Sequence, residues 1–118
     1  MPKVLIVDDD RSMVTLLTTL LQLDGFDVIH EARGAEVLNI IRAQKPDVVL
    51  MDVHLSDADG LEILAKVRAD AVIRKIPVVI ASGEDVRYKC EQAGANDFIL
   101  KPYSPDHLTE MLKKAIGQ

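Results

Sequence analysis

The chain has 118 residues, enough for one domain with a real core and too few for two. A net charge of −5, no basic cluster and only 3% aromatics argue against a general grip on nucleic acid and against stacking sites for bases or flavins. One cysteine, Cys90, excludes an internal disulfide, and no apolar run is long enough to span a membrane. Residues 1–7 reach Asp8 after four apolar positions, too few for a signal peptide, so a cytoplasmic setting is expected.

Val4, Leu5, Ile6 and Val7 predict a first strand that ends at Asp8, Asp9 and Asp10. A helix follows over 12–23. Its Met13, Leu16, Leu17 and Leu20 form one stripe, expected to face the core. Val14, Thr18 and Leu21 form a neighbouring stripe at i, i+4, i+7, read here as a docking face. A strand over 28–30 and a helix over 35–44 come next. The third strand, 48–51, ends at Asp52 and leads to a helix over 61–69. The fourth, 78–81, ends at Ser82 and Gly83 and leads to a helix over 85–93 that contains Cys90. The fifth, 98–100, ends at Lys101 and Pro102. The last helix, 105–116, starts with Ser104 and Pro105, a capping serine followed by proline at the first helical position. The strands are short and rich in Val, Ile and Leu, as strands covered on both faces must be.

Five strands alternating with five helices predict an α/β fold, an open parallel sheet with helices on both faces, as a single domain over 1–118. Ligands of such sheets bind beyond the carboxyl ends of the strands. Taken singly, an Asp there is often a helix cap, a Ser a turn residue and a Lys a solvated charge. Together they place three carboxylates, a hydroxyl and an ammonium on one rim. Clustered carboxylates repel, and a hard divalent cation with oxygen ligands, Mg2+, relieves that repulsion. One carboxylate can then attack phosphorus, with the metal and Lys101 neutralising the phosphoryl group and Ser82 bonding one of its oxygens. The expected product is an aspartyl phosphate.

Five segments carry a resemblance over essentially the whole chain: residues 4–10 (VLIVDDD), 48–55 (VVLMDVHL), 59–62 (DGLE), 77–83 (PVVIASG) and 98–103 (FILKPY). In this order and spacing they resemble the receiver domain of two-component response regulators, in its stand-alone, chemotaxis-regulator-like form. The resemblance implies a doubly wound, flavodoxin-like sheet of order 2-1-3-4-5. It implies Asp52 as the phosphorylated residue, acting with Ser82 and Lys101. Asp8, Asp9, Asp52 and the carbonyl of His54 would hold Mg2+. Ser82 and Phe98 would be the switch pair, with Phe98 moving inward on phosphorylation. The phosphoryl donor would be a sensor histidine kinase or a histidine phosphotransfer domain. The fourth helix, fifth strand and fifth helix, with Tyr88 and Tyr103, would meet a downstream protein that the sequence does not name. Ser56 stands where the family often has proline, which implies a looser loop, and Asp57 and Asp59 add negative charge nearby.

His54 and Glu84 lie two positions beyond Asp52 and Ser82, where side chains can orient or block the water that ends the phosphorylated state. The His54 imidazole is expected to face solvent. Removing Asp9 is expected to relieve repulsion. Another reading is a phosphatase similar to the haloacid dehalogenases, using Asp8 and Asp10. Against it stand the short chain, the lack of an acidic pair after a later strand, and an unexplained Asp52. A flavin-binding flavodoxin lacks support because no Ser/Thr/Gly-rich phosphate loop follows the first strand.

Overall fold

The computed structural model describes residues 1–117. Its elements are β1 (Lys3–Val7), α1 (Arg11–Leu23), β2 (Asp27–Glu31), α2 (Val37–Gln44), β3 (Val48–Asp52), α3 (Gly60–Ala69), β4 (Val78–Ser82), α4 (Arg87–Ala93), β5 (Asp97–Leu100) and α5 (Pro105–Ala115). A 3-10 turn, Gly34–Glu36, leads into α2. All four strand pairings are parallel, and the order is β2-β1-β3-β4-β5. The register sets Val7 beside Met51, Asp52 beside Ala81, and Ser82 beside Leu100. The polar residues that end β1, β3, β4 and β5 therefore share one rim.

Strand alternation divides the core in two. Leu5, Val7, Val49, Met51, Ile80 and Phe98 face α2, α3 and α4. Val4, Ile6, Leu50, Val79 and Ile99 face α1 and α5, where Leu108 and Leu112 are fully buried. Cys90 lies inside the first half, where burial pushes its thiol up and leaves it a small apolar filler.

Helix α1 corrects one expectation. Val14, Leu17 and Leu21 are the buried stripe, whereas Leu16 is 55% exposed and Met13, Thr18 and Leu20 are partly exposed. Val14 and Leu21 are therefore core residues rather than a docking face. Both stripes are largely apolar and lie side by side around the helix, so only the contact with the sheet decides which positions are covered. Tyr103 packs on the α1–α5 half of the core, and burial pushes its phenol up. Tyr88 is exposed on α4. Helix α4 also begins two residues later than expected, because Asp85 accepts a hydrogen bond from the Arg87 N–H in a turn that precedes it. Among the described residues, no helix is long and apolar enough to cross a membrane.

Candidate functional site

The Lys101 ammonium stands 2.9 Å from Oδ2 of Asp52 and 3.5 Å from Oδ2 of Asp8. Burial would push this ammonium down, but the hydrogen bond to Asp52 and the charges of Asp8 and Asp52 outweigh it, so its pKa is raised. Asp8 is buried, and its Oδ1 accepts from the Asp10 N–H at 2.9 Å. Its main-chain carbonyl accepts from Nε2 of His30 at 2.8 Å, which requires the proton on that nitrogen. His30, near the end of β2, was not among the expected site residues. Only its place at the same rim could have flagged it.

The loop from Asp52 to Gly60 is closely tied. The His54 N–H donates to Oδ1 of Asp52 at 3.3 Å. The Gly60 N–H donates to the Val53 carbonyl at 2.7 Å, and the Leu55 N–H to the Ala58 carbonyl at 3.1 Å. A Cβ on Gly60 would stand 2.3 Å from the Asp52 carbonyl oxygen, so only glycine lets the chain pass behind Asp52. Asp57 accepts from the Gly34 and Ala35 N–H groups at 2.8 and 3.2 Å, which lowers its pKa. Asp59 caps α3 through the Leu61 N–H at 2.8 Å. Ser56 donates to Oδ2 of Asp9 from its N–H at 2.6 Å and from its hydroxyl. These bonds, the hydroxyl's first, hold the Asp9 carboxyl below its usual range. The loop is thus not loosened by serine in place of proline. Asp57 and Asp59 are engaged by backbone N–H groups, and the charge of Asp57 still acts on Asp9, as expected.

Ser82 is fully buried, and its hydroxyl accepts from the Glu84 N–H at 3.1 Å. Phe98 is 2% exposed, with the Arg87 guanidinium 5.3 Å from its ring centre. The ring is inside, the seat that the expected switch gives it after phosphorylation. The His54 imidazole is exposed, as its sequence position suggested, and reaches toward Glu84.

Asp8, Asp9 and Asp52 supply the hard oxygen donors that magnesium prefers. Among the described residues, no hydrogen bond uses the His54 carbonyl oxygen, which leaves a further donor. The donor set fits the ion. The side chains nevertheless do not converge, since among the described residues no three His, Cys, Asp or Glu groups stand close enough to enclose a metal. Lys101 takes Asp8 and Asp52, while Asp9 is drawn to Ser56. Asp10 caps α1 through the Met13 N–H at 3.1 Å. It therefore serves the start of α1, the structural role an Asp after a strand commonly has.

A sequence profile of the family described as "response regulator receiver domain" matches residues 4–113. The chain belongs to the response-regulator receiver family. It is 32% identical to the polar-differentiation response regulator DivK of Brucella anthropi, over 99% of this chain and 98% of that one. It is 35% identical to the alkaline phosphatase synthesis transcriptional regulatory protein PhoP of Bacillus subtilis, over 94% of this chain but 47% of that protein. The chain thus spans about half the length of several relatives it matches. The receiver domain of the sensor histidine kinase PA1611 from Pseudomonas aeruginosa has the same fold, with a TM-score of 0.90, 28% identity, and coverage of 99% of this chain and 98% of that one. That structure holds a magnesium ion in its active-site cleft. The receiver is thereby a phosphoacceptor of two-component signalling, with the five-stranded, flavodoxin-like topology expected of it.

Proposed function

We propose that residues 1–118 act as one receiver that takes a phosphoryl group onto Asp52 from a phosphohistidine of a sensor histidine kinase or histidine phosphotransfer domain. An Asp52 oxygen forms the bond to phosphorus as the donor's N–P bond breaks, and the imidazole nitrogen keeps the electron pair. The observation that carries this reading is the Asp52–Lys101 contact of 2.9 Å, with Asp8 beside it and Ser82 on the adjoining strand end. Lys101 can turn from Oδ2 of Asp52 to an oxygen of the incoming group, and the Ser82 hydroxyl can leave the Glu84 N–H for another. Asp8, Asp9, Asp52 and the His54 carbonyl would hold Mg2+, which supplies positive charge against the phosphoryl oxygens. His54 and Glu84 tune how long the phosphate survives. A cytoplasmic setting suits the reduced, buried Cys90.

Two faces fit partners. The outer stripe of α1, Met13, Leu16 and Leu20, lines an apolar groove with Pro102, Tyr103 and Pro105 that includes Lys101. It suits an apolar helix of the phosphodonor. On the other side Tyr88 of α4 and Leu100 of β5 are exposed, which supports a face for the downstream protein. The switch between the two states runs through Ser82 and Phe98, the latter leaving its buried seat in the unphosphorylated form. The test is phosphorylation with magnesium and acetyl phosphate, followed by reductive mapping of the acyl phosphate. The label should fall on Asp52 and vanish in Asp52→Asn. Label on Asp8 would overturn the assignment.

A further inference from the structure

Asp9 is the one member of the acidic set that is turned away from Lys101. Its Oδ2 takes two donors from one residue, the Ser56 N–H at 2.6 Å and the Ser56 hydroxyl. Ser56 is itself held on both sides. Leu55 is buried and bonded to the Ala58 carbonyl, and Asp57 is seated on the N–H groups of Gly34 and Ala35. The two donors are thus fixed by the loop, and the carboxylate has come to them. A proline at position 56 could offer neither. Bonds to an ionised carboxylate are the stronger kind of hydrogen bond, so giving them up has a cost.

We propose that Ser56 is a latch on Asp9. It holds the carboxylate on the β3–α3 loop, and Asp9 reaches a cation beside Asp8 and Asp52 only by leaving Ser56. Ser56 is therefore a positioning residue that weakens the magnesium affinity of this receiver and makes its phosphorylation sensitive to magnesium concentration. The inference rests on the reading of Asp9 as a magnesium ligand.

The experiment is calorimetric titration of the full chain with magnesium chloride, for the wild type, Ser56→Ala, Ser56→Pro and Asp9→Asn. It is paired with amide NMR of the wild type across the same titration. Removing the hydroxyl should tighten binding about threefold, and removing both donors about tenfold. In the wild type, saturation should move the Ser56 amide proton upfield and speed its exchange, because it loses a carboxylate acceptor. Folded Ser56→Ala protein that binds magnesium no more tightly than wild type would overturn the latch, as would a Ser56 amide that does not move at saturation. Should Ser56→Pro fail to fold, Ser56→Ala and the amide signal carry the test. If Asp9→Asn binds as well as wild type, the ligand reading itself falls. If Asp9→Asn binds weakly while the Ser56 variants match wild type, the latch alone falls.

Discussion

His54 and Glu84 meet across the mouth of the site: Nε2 of the imidazole stands 3.6 Å from Oε1 of the carboxylate. They come from different loops, and each is anchored through its own N–H, His54 to Asp52 and Glu84 to Ser82. Two polar tips fixed on the groups that frame Asp52 can hold a water in line with its bond to phosphorus. The double variant His54→Leu/Glu84→Leu should lengthen the phospho-Asp52 half-life about tenfold, near 1.4 kcal/mol of barrier. The decay of labelled protein after removal of the donor measures this. A shortened half-life would mean that the pair shields the phosphate.

Lys101 is the only cation in contact with Asp8 and Asp52 among the described residues. Lys101→Met leaves two carboxylates facing each other. The loss should be about 2 kcal/mol, below that of a fully buried pair because the lysine side chain is 24% exposed. Magnesium should raise the melting temperature of this variant more than that of the wild type. Since the pKa of Lys101 is raised, its stabilisation is complete below the ordinary lysine value of 10.5 and is lost as pH rises through the higher folded value. Thermal melts at several pH values, with and without magnesium, check both statements.

Gly60→Ala places a methyl carbon against the carbonyl of Asp52, the proposed phosphoacceptor. The helix-forming advantage of alanine at the start of α3 cannot offset a backbone overlap of that size. A loss of about 2 kcal/mol is expected, together with slower phosphorylation by acetyl phosphate, because Asp52 must shift. Urea unfolding and a timed labelling assay measure the two effects.

Asp57 binds the start of the α2 region through two N–H groups, and its pKa lies below the ordinary 3.8. Its contribution is present above 3.8 and disappears as pH falls through the lower folded value. Asp57→Asn should melt below the wild type at neutral pH, and the gap should close as the buffer is acidified beneath that range. A gap that is constant with pH would show that the carboxylate charge plays no part.

The two stripes of α1 separate docking from folding. Leu16→Asp adds a charge at an exposed site, so stability should change by no more than about 0.5 kcal/mol. It should cut transfer from a phosphorylated histidine partner while sparing acetyl phosphate. Val14→Asp buries a charge in the core and should cost about 3 kcal/mol or more, reducing transfer from both donors alike. Parallel assays with the two donors distinguish these outcomes.

The rim was legible because a strand covered on both faces must be apolar, so the first polar residue after it marks its end. Asp8, Asp52, Ser82 and Lys101 could be read in this way. The orientation of α1 could not, since Val14 and Leu16 are both apolar and only the packed sheet chooses between them. The contacts of Ser56 with Asp9, of Asp57 with Gly34 and of His30 with Asp8 join positions 47, 23 and 22 residues apart. Such pairs leave no local pattern in a sequence. For the same reason the relief expected on removing Asp9 is set against the loss of its two bonds from Ser56, while the charge of Asp57 still acts on it. Asp9 is satisfied by Ser56, and no cation or carboxylate of the rim is its nearest partner.

Asp8 and Lys101 lie 93 positions apart in the chain and 3.5 Å apart in space. A polypeptide still being synthesised carries Asp8, Asp9 and Asp52 long before it carries the lysine that completes the cluster. Until β5 has emerged and added itself to the sheet edge, the carboxylates stand without their countercharge. The acidic cluster is therefore balanced only once β5 has been made and paired with β4, and a fragment ending before β5 lacks the lysine that Asp8 and Asp52 share.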